Sequence, residues 1–288
     1  MAQSQAYARG WNGWDAIIDL ALAEDVGTGD VTTMATVPVD ARSSARLVAK
    51  AEGMLSGVDV ARAVFRRVDP DIAWETRAPD GSHAAEGTVI AEIAGLSHAM
   101  LIAERTALNL IQHLSGIASL TARYVEAVEG TGACIVDTRK TLPGLRVLEK
   151  AAVRHGGGMN HRVGLSDGVL IKDNHLAAIG GDDRITRAIA AARAAVPHTL
   201  RVEVEVTNLA EVREAVDASA DAILLDNMGI EEMREAVGIV GGRSLTEASG
   251  GVNLATVRLV AETGVDLISV GRLTHSAPAL DISLQFDF

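Results

Sequence analysis

The sequence has little of what a secreted, membrane-spanning or nucleic-acid-binding protein needs. It contains one cysteine, Cys134, so no disulfide can form within the chain, as is usual in a reducing compartment. Aromatic residues make up only 3%, which leaves few rings for stacking on bases. No apolar run reaches the roughly 20 residues that span a membrane, and residues 1–13 lack the pattern of a signal peptide. We therefore expect a cytoplasmic protein.

The acidic balance of the chain argues against a general affinity for polyanions. Its formal net charge is −12, which disfavours binding to nucleic acid or to an acidic membrane surface. The 288 residues are 48% hydrophobic, enough to bury a large core. One large domain, or a barrel with an appendage, is expected.

Positive charge is concentrated in one segment. From Asp137 to His175 there are seven Lys or Arg but four acidic residues, and three of the four lysines of the chain lie there. Lys140 and Lys172 each follow a short apolar run, which favours a chemical role for both. Lys150 lies within a helical pattern and is expected to be an ordinary solvated residue.

The first part of the chain predicts a mixed α/β domain. Strands are expected at 45–51, 72–77 and 88–93, and helices at 14–24 and 59–68. A long helix should begin near Ser97, a residue type that caps helices, and run to about His113. Gly116 should interrupt it before a second helical stretch to Val128.

From Ala133 onward, short apolar strands alternate with helical patterns. This alternation is typical of a parallel sheet with right-handed crossovers. Six or seven strands suit a TIM-like barrel, with an open doubly wound sheet as the alternative. No GxGxxG follows the first of these strands, which disfavours a dinucleotide-binding fold. The expected strands are 134–137, 168–171, 200–206, 221–225, 244–248 and 266–270, and the expected helices are 145–154, 184–196, 209–216, 231–240 and 254–262.

Polar residues gather where these strands end, which is the edge at which parallel α/β folds place their sites. Four basic side chains lie at or near these ends: Arg139, His161, Arg162 and Lys172. They would converge on a strongly anionic ligand, because guanidinium groups bind carboxylates and phosphates in bidentate pairs. The alternative is an internal salt-bridge network with Asp167 and Asp173.

Two acidic residues, Glu205 and Asp226, lie near the ends of two further strands. Alternation places Glu203 on the same face of its strand as Glu205. A carboxylate directed into the mouth of a barrel needs a cation or a metal. Glu205 and Asp226 could hold Mg²⁺ bound to substrate oxygens, since Mg²⁺ takes one or two protein carboxylates together with phosphates. Ion pairing with the basic residues is the alternative.

Glycines follow the last two strands, in Ser249-Gly250-Gly251 and at Gly271. Barrels often bind phosphate at these loops through backbone N–H groups. Three more glycines, at 156–158, predict either a mobile lid or a plain linker. The residues alone thus indicate a barrel enzyme with a polyanionic ligand, a phosphate site and a metal, and they leave open a Schiff-base reaction at Lys172.

The motifs, taken in order, resemble the quinolinate phosphoribosyltransferase family over nearly the whole chain, residues 1–12 excepted. The most specific run is Asp137-Thr138-Arg139-Lys140-Thr141-Leu142-Pro143-Gly144-Leu145-Arg146. The resemblance also rests on segments within 24–33, 104–118, 150–175, 203–205, 224–227, 247–251 and 274–276. It implies an α/β fold, with an N-terminal α/β sandwich domain at 1–116, a seven-stranded TIM-like α/β barrel at 117–274, and a C-terminal segment, 275–288, that returns to the N-terminal domain.

The resemblance further implies a decarboxylating transferase of NAD biosynthesis. Quinolinate and phosphoribosyl pyrophosphate (PRPP) would give nicotinate mononucleotide, CO2 and pyrophosphate, with Mg²⁺ as cofactor. The active enzyme would be a homodimer, or a higher oligomer, in which Arg105 reaches into the site of the other subunit.

By matching position, the resemblance also assigns the site residues. Lys140, Glu205 and Asp226 would be catalytic, and Glu205 and Asp226 would hold the metal. Quinolinate would be bound by Arg105, Thr138, Arg139, His161, Arg162 and Lys172. PRPP would be bound by Lys140, Glu205, Asp226, Ser249, Gly250, Gly251, Val270, Gly271, Arg272 and His275. Arg272 departs from the family pattern, which has a small residue there.

Three alternatives stand beside this interpretation. One is a paralogue of the family, linked to molybdate transport loci, with a different substrate. The others are a Schiff-base barrel lyase and a metabolite-binding protein without catalysis. The intact set of Arg139, Arg162 and Lys172 favours quinolinate over the first alternative.

Overall fold

The computed structural model describes residues 14–287, so the predictions for residues 1–13 lie outside the described residues. The chain divides into two compact units. The first comprises the chain up to Leu120, the segment Thr141–Gly157 and the chain from Ser276 onward; the second comprises Thr121–Lys140 and Gly158–His275. No helix within the described range is long and apolar enough to cross a membrane.

The first unit is built on a four-stranded antiparallel sheet. Its helices are α1 (Asp15–Val26), α2 (Val31–Thr36), α3 (Val58–Val68), the greater part of α4 (Ser97–Ala127) and α5 (Arg146–His155). Its strands are β1 (Arg42–Ala49), β2 (Gly53–Met54), β3 (Ala73–Thr76), β4 (His83–Ala84), β5 (Val89–Leu96) and β12 (Ile282–Asp287). The sheet order is β12-β1-β5-β3, so the last strand of the chain pairs with the first.

A short helix follows the Gly-Asp motif near the start of the chain. Asp30 caps α2: its carboxylate accepts the backbone N–H groups of Thr32 and Thr33, at 3.0 and 3.1 Å. These hydrogen bonds and the one from the Thr33 hydroxyl lower the pKa of Asp30. The helix itself was not among the sequence predictions, although Asp before Val-Thr-Thr is a helix-start pattern.

Gly116 does not interrupt a helix, so that prediction was wrong. Helix α4 is continuous from Ser97 to Ala127. A Cβ atom at Gly116 would lie 2.1 Å from the carbonyl oxygen of Pro278. The glycine is therefore needed because the C-terminal segment crosses the helix there, a contact that no local pattern reveals.

Lys150 is not solvated, and that prediction was also wrong. It lies in α5 with 2% of its surface exposed. Leu148, Glu149, Ala152 and Val153 are buried as well, so the helix is covered on more than one side. Glu149 is fully buried and accepts a hydrogen bond from His113, at 2.8 Å. Helical periodicity predicts one buried face and cannot anticipate a second.

The second unit is a parallel sheet with helices between its strands. The strands are β6 (Cys134–Val136), β7 (Val169–Ile171), β8 (Val202–Val206), β9 (Ala222–Asp226), β10 (Leu245–Ser249) and β11 (Leu267–Ser269). The helices are α6 (Asp173–Ile179), α7 (Arg184–Ala195), α8 (Leu209–Asp217), α9 (Ile230–Val240), α10 (Val257–Ala261) and α11 (Arg272–His275). The strand order is β6-β11-β10-β9-β8-β7.

This sheet curves into a barrel. His161, which follows a bridge to β6, lies 3.0 Å from Glu203 of β8. In a flat sheet four strand spacings would separate β6 from β8, roughly 19 Å, so only a curved sheet permits the contact. The predicted α/β barrel is confirmed, and an open sheet is excluded. Among the described residues the sheet has six strands, and next to β6 the place of a seventh is taken by the single bridge Val136–Met159.

Replacing Gly116 by alanine should destabilise the protein, because the new methyl group overlaps the Pro278 carbonyl. Overpacking of this kind costs about 1–3 kcal/mol, which denaturant unfolding or a thermal melt would detect. Gly238 supplies the control, since it lies in helix α9 with no atom within 4 Å of its Cβ position. Gly238→Ala should be neutral or stabilising, by up to about 1 kcal/mol. Equal effects of the two substitutions would refute the close-packing explanation.

Candidate functional site at the carboxyl ends of the barrel strands

A pocket of about 290 Å³ lies at the carboxyl ends of β6, β10 and β11. Its lining includes nine residues that the sequence assigned to ligand binding: Thr138, Lys140, Ser249, Gly250, Gly251, Val270, Gly271, Arg272 and His275. The structure thus brings together all but two of the residues predicted for PRPP. The two others, Glu205 and Asp226, lie on the neighbouring strands β8 and β9.

The glycines of this pocket permit close approach of backbone. Gly250 has φ of +96°, and a Cβ atom there would lie 2.2 Å from the Asn227 side chain. A Cβ at Gly271 would lie 3.0 Å from Cδ of Lys140. Any larger residue at either position would fill the space beside the lysine or disturb the turn. The pocket wall is therefore backbone, which suits a phosphate group.

Hydrogen bonds hold the loop after β6 in place. The Thr138 hydroxyl accepts the backbone N–H of Lys140, at 3.0 Å, and the Lys140 carbonyl accepts the hydroxyl of Thr274, at 2.7 Å. The Lys140 side chain is exposed at the pocket. The loop thus presents an exposed cation from a backbone held by hydrogen bonds.

Arg139 and Arg162 bring two positive charges close together, and Glu203 and Asp167 offset only part of the charge of Arg162. The Nε atom of Arg139 is buried without a hydrogen-bond partner in the described part of the chain. Burial, followed by the charge of Arg139, lowers the pKa of Arg162. One Arg162 nitrogen donates to the Gly168 carbonyl, at 3.0 Å. Two partly buried guanidinium groups near each other, one of them with an unused buried donor, suit an anionic ligand.

Lys172 and Glu205 form an ion pair across β7 and β8. The ammonium group donates to a Glu205 oxygen, and the lysine is half exposed while the glutamate is 8% exposed. Asp226 ends β9, where it is paired in register with Ser249 of the pocket, and it accepts a hydrogen bond from the Asn227 amide, at 2.9 Å. Both acids therefore lie where the sequence placed them, with Asp226 adjacent to the pocket.

A buried group of three side chains lies deeper in the barrel, and the sequence predictions missed two of its members. The potential ligand atoms of His161, Glu203 and Glu247 all lie within 4.8 Å of one another. Burial, together with the charge of Glu203, raises the pKa of Glu247 to about 8. In the sequence, Glu247 is a single acidic residue within the short strand segment Thr246-Glu247-Ala248. Strand alternation alone does not show whether such a residue is buried or exposed.

Arg105 belongs to helix α4 in the first unit, and its side chain is exposed. Its role in the site therefore stays a prediction, because Arg105 lies in the first unit and the residues that line the pocket lie in the second. Gly156 and Gly157 end helix α5, through hydrogen bonds to Ala152 and Arg154. That glycine run thus serves first as a helix terminus.

Two protein-family models match the chain. Residues 30–115 match the model described as "Quinolinate phosphoribosyl transferase, N-terminal domain", and residues 117–285 match the corresponding C-terminal domain. A probable nicotinate-nucleotide pyrophosphorylase (carboxylating) of Synechocystis is 44% identical over 92% of this chain and 89% of its own length. The chloroplastic nicotinate-nucleotide pyrophosphorylase (carboxylating) of Arabidopsis thaliana is 43% identical over 94% and 82%.

Solved structures agree with these relatives. The crystal structure of NadC from Streptococcus pyogenes superposes with a TM-score of 0.90, at 42% identity, over 96% of this chain and 97% of that one. The nicotinate-nucleotide pyrophosphorylase of Francisella tularensis superposes with a TM-score of 0.90, at 38% identity, over 96% of each chain.

The raised pKa of Glu247 gives a testable pH dependence of stability. An unfolded glutamate loses its proton near its ordinary pKa of 4.5, whereas the folded one keeps it to about pH 8. The unfolded chain therefore binds fewer protons between these values, and the folded state loses stability as pH rises through this window. Glu247→Gln removes this loss, so the melting temperature of the variant relative to the parent should increase from pH 5 to pH 8.

The same substitution at the exposed Glu129 provides the control and should leave the difference in melting temperature constant. A constant difference for Glu247→Gln as well would show that Glu247 is ionised throughout this range.

Proposed function

The chain belongs to the quinolinate phosphoribosyltransferase family, and from that premise we propose which of its residues bind the two substrates and how they act. The reaction joins quinolinate to PRPP and yields nicotinate mononucleotide, CO2 and pyrophosphate. The identity of more than 40% with carboxylating pyrophosphorylases over nearly the full chain supports this assignment. The observation that carries the site assignment is the buried, unpartnered Nε of Arg139 beside a second guanidinium.

Quinolinate is a pyridine with two adjacent carboxylates, so its binding site must supply at least two cations. We assign this role to Arg139, Arg162 and Lys172, with Thr138 at the edge. Guanidinium groups match planar carboxylates in bidentate geometry. The ligand would neutralise the charge of Arg139 and Arg162, both partly buried, and would lower the cost of holding two like charges together. A nicotinate with one carboxylate would leave part of this charge unpaired.

PRPP would occupy the glycine-lined pocket. Its backbone walls at Ser249–Gly251 and Gly271 would approach the phosphate oxygens, and Arg272 and His275 would add positive charge. Lys140, with a fixed backbone and an exposed ammonium group, would follow the diphosphate as it leaves. The extra cation at Arg272 replaces a small residue and therefore increases the attraction for phosphate.

Glu205 and Asp226 have the donor chemistry that Mg²⁺ prefers, since both offer carboxylate oxygens. Asp226 is in register with Ser249 of the phosphate pocket, which supports a metal ligand beside the diphosphate that we propose. Glu205 is held by Lys172 and would share its charge between the lysine and a metal. When bound with PRPP, Mg²⁺ would stabilise the negative charge that develops on the leaving pyrophosphate.

The reaction needs little acid–base chemistry. The pyridine nitrogen attacks C1 of the ribose, and the C–O bond to pyrophosphate breaks with its electron pair leaving on pyrophosphate. Lys140 would stabilise that charge, while Glu205 and Asp226 would stabilise the positive character of the ribose or bind its hydroxyl groups. The alkylated ring is cationic, so it accepts the electron pair released when the C2 carboxylate departs as CO2. A proton from solvent then replaces it at C2.

Arg105 would complete the site from the other subunit of a homodimer. It lies exposed on α4 in the first unit, where a second subunit could receive it. This assignment rests on the match of Arg105 to the family motif. It brings the number of basic residues proposed to bind quinolinate to four.

Release of pyrophosphate from PRPP should depend on quinolinate. With nicotinate or nicotinamide in its place, turnover should fall by orders of magnitude, because a buried polar site built for two carboxylates is left with unpaired groups. Pyrophosphate release and CO2 release should be equal. Turnover with nicotinate as fast as with quinolinate would contradict the assignment.

In the same assay, Lys172→Ala should lower kcat/KM for quinolinate by about 100-fold or more, the effect of removing one charged partner from a buried ionic site. Lys50→Ala removes an exposed lysine of the first unit and should be neutral. Borohydride trapping of Lys172 by a carbonyl substrate would instead support the Schiff-base alternative.

Mixing two inactive variants should restore activity if the site is shared between subunits. Arg105→Ala and Lys140→Ala each disable one contribution, and a mixed dimer retains one intact site. Up to half of the parent activity per mixed dimer should return after subunit exchange, verified with differently tagged chains. Exchange without regained activity would show that Arg105 and Lys140 act within one chain.

A further inference from the structure

The three buried side chains of the barrel interior, His161, Glu203 and Glu247, form a network that the reaction described above does not use. Glu203 is 8% exposed and Glu247 is 1% exposed. Each has one carboxylate oxygen without a hydrogen-bond partner among the described residues. Glu203 is the residue on β8 that faces the interior two positions before Glu205, so the network lies below the carboxyl ends of the strands.

The hydrogen bonds of His161 define its tautomer. The backbone N–H of Arg162 donates to Nδ1 of His161, at 2.7 Å. A backbone N–H can only donate, so Nδ1 carries no proton and the single ring proton is on Nε2. Nε2 lies 3.0 Å from a Glu203 oxygen and 3.6 Å from a Glu247 oxygen, so it donates to Glu203.

This tautomer disfavours a metal in the same place. Two carboxylates and a histidine within 4.8 Å are a plausible ligand set, but a metal would need the Nε2 lone pair. With Nδ1 already accepting a backbone N–H, removal of the Nε2 proton would produce an anionic ring. The Nε2–H donor, 3.0 Å from Glu203 and 3.6 Å from Glu247, already supplies the positive end of a contact with both carboxyl groups.

The loop that carries His161 and Arg162 is fixed from several sides. Asp137, fully buried at the end of β6, accepts the backbone N–H of His161, at 2.9 Å, and the side-chain amide of Asn160, at 2.6 Å. Met159 bridges to β6. The His161 ring also links this loop to strands β8 and β10, through Glu203 and Glu247.

We infer that His161 is a positioning residue: the buried Glu203–Glu247 pair orients its ring, and the ring, through Nδ1, fixes the backbone of Arg162 beside Arg139. The family position assigns His161 to direct contact with quinolinate. In this structure both of its ring nitrogens are engaged within the protein. The inference rests on the proposed function of Arg162 in binding quinolinate.

Two isosteric substitutions separate positioning from direct contact. Asn at position 161 keeps an acceptor near the place of Nδ1, whereas Gln keeps a donor near the place of Nε2. If His161 positions Arg162, His161→Ala and His161→Gln should raise the KM for quinolinate about tenfold, with kcat and the KM for PRPP changed less than about twofold. His161→Asn should restore most of the affinity. If His161 contacts quinolinate through Nε2–H, Gln should restore it and Asn should not, which would overturn the inference.

Glu203 supplies an independent readout. Glu203→Ala should also raise the KM for quinolinate, because the His161 ring loses its acceptor, and the double variant with His161→Ala should be no worse than either single variant. Additive losses would show that the two residues act separately and would overturn the coupling. Calorimetric titration of each variant with quinolinate alone gives the same comparison without turnover.

Further controls keep the outcomes distinct. A parent protein that releases no pyrophosphate with quinolinate would defeat the proposed function, whereas an active parent with Gln rescue at position 161 would defeat only this inference. Stoichiometric Zn²⁺ or Mn²⁺ in the purified protein by elemental analysis, lost in Glu247→Gln, would show that a metal and not the Nε2–H donor joins these side chains, and would also overturn it.

Discussion

The site depends on two like charges, those of Arg139 and Arg162, which the barrel holds close together. The charge of one lowers the pKa of the other, and the Nε atom of Arg139 is buried without a partner among residues 14–287. Such an arrangement costs free energy in the empty protein, because two like charges are held close together and one buried donor lacks a partner. That cost is offset when a doubly charged ligand binds, so the same groups that destabilise the free site select the ligand. The parallel strands make this possible, since their ends place side chains that are distant in sequence at one rim.

The fold was largely predictable because its pattern is local. The six barrel strands and the helices α7 to α10 were predicted within a few residues of their final bounds, since buried parallel strands are short apolar runs bounded by polar residues. Helix α6, which directly follows Lys172, was not predicted. Thr138, Lys140, Gly250, Gly251 and Gly271 of the phosphate pocket followed from the same pattern, because they come just after β6, β10 and β11. Val270, Arg272 and His275 followed only from the family resemblance. Sequence order therefore translated directly into spatial position.

What the sequence could not predict depends on contacts between distant segments. Gly116 was read as a helix break because the approach of Pro278 is 162 positions away along the chain and invisible to a local pattern. Lys150 was read as solvated because one amphipathic face accounts for a helix on a surface, and α5 is covered on more than one side. Glu247 gave a weak signal, a lone carboxylate in an apolar strand. Its role emerged only when curvature of the sheet brought it to Glu203 and His161.

Glu203 and Glu247 lie below the strand ends that carry Arg139 and Arg162, so their charge affects how strongly that end of the barrel attracts an anion. If Glu203 and Glu247 were both ionised, their two charges would balance much of the positive charge of Arg139 and Arg162 and weaken the attraction for a dianion. Burial and the charge of Glu203 raise the pKa of Glu247 to about 8, so at neutral pH Glu247 adds little negative charge. A Glu203 oxygen accepts the Nε2–H of His161 and orients the ring. Glu203 and Glu247 can therefore support the loop that bears Arg162 while the strand ends around Arg139 and Arg162 stay positively charged. This requires the two carboxyl groups to lie close together and away from water.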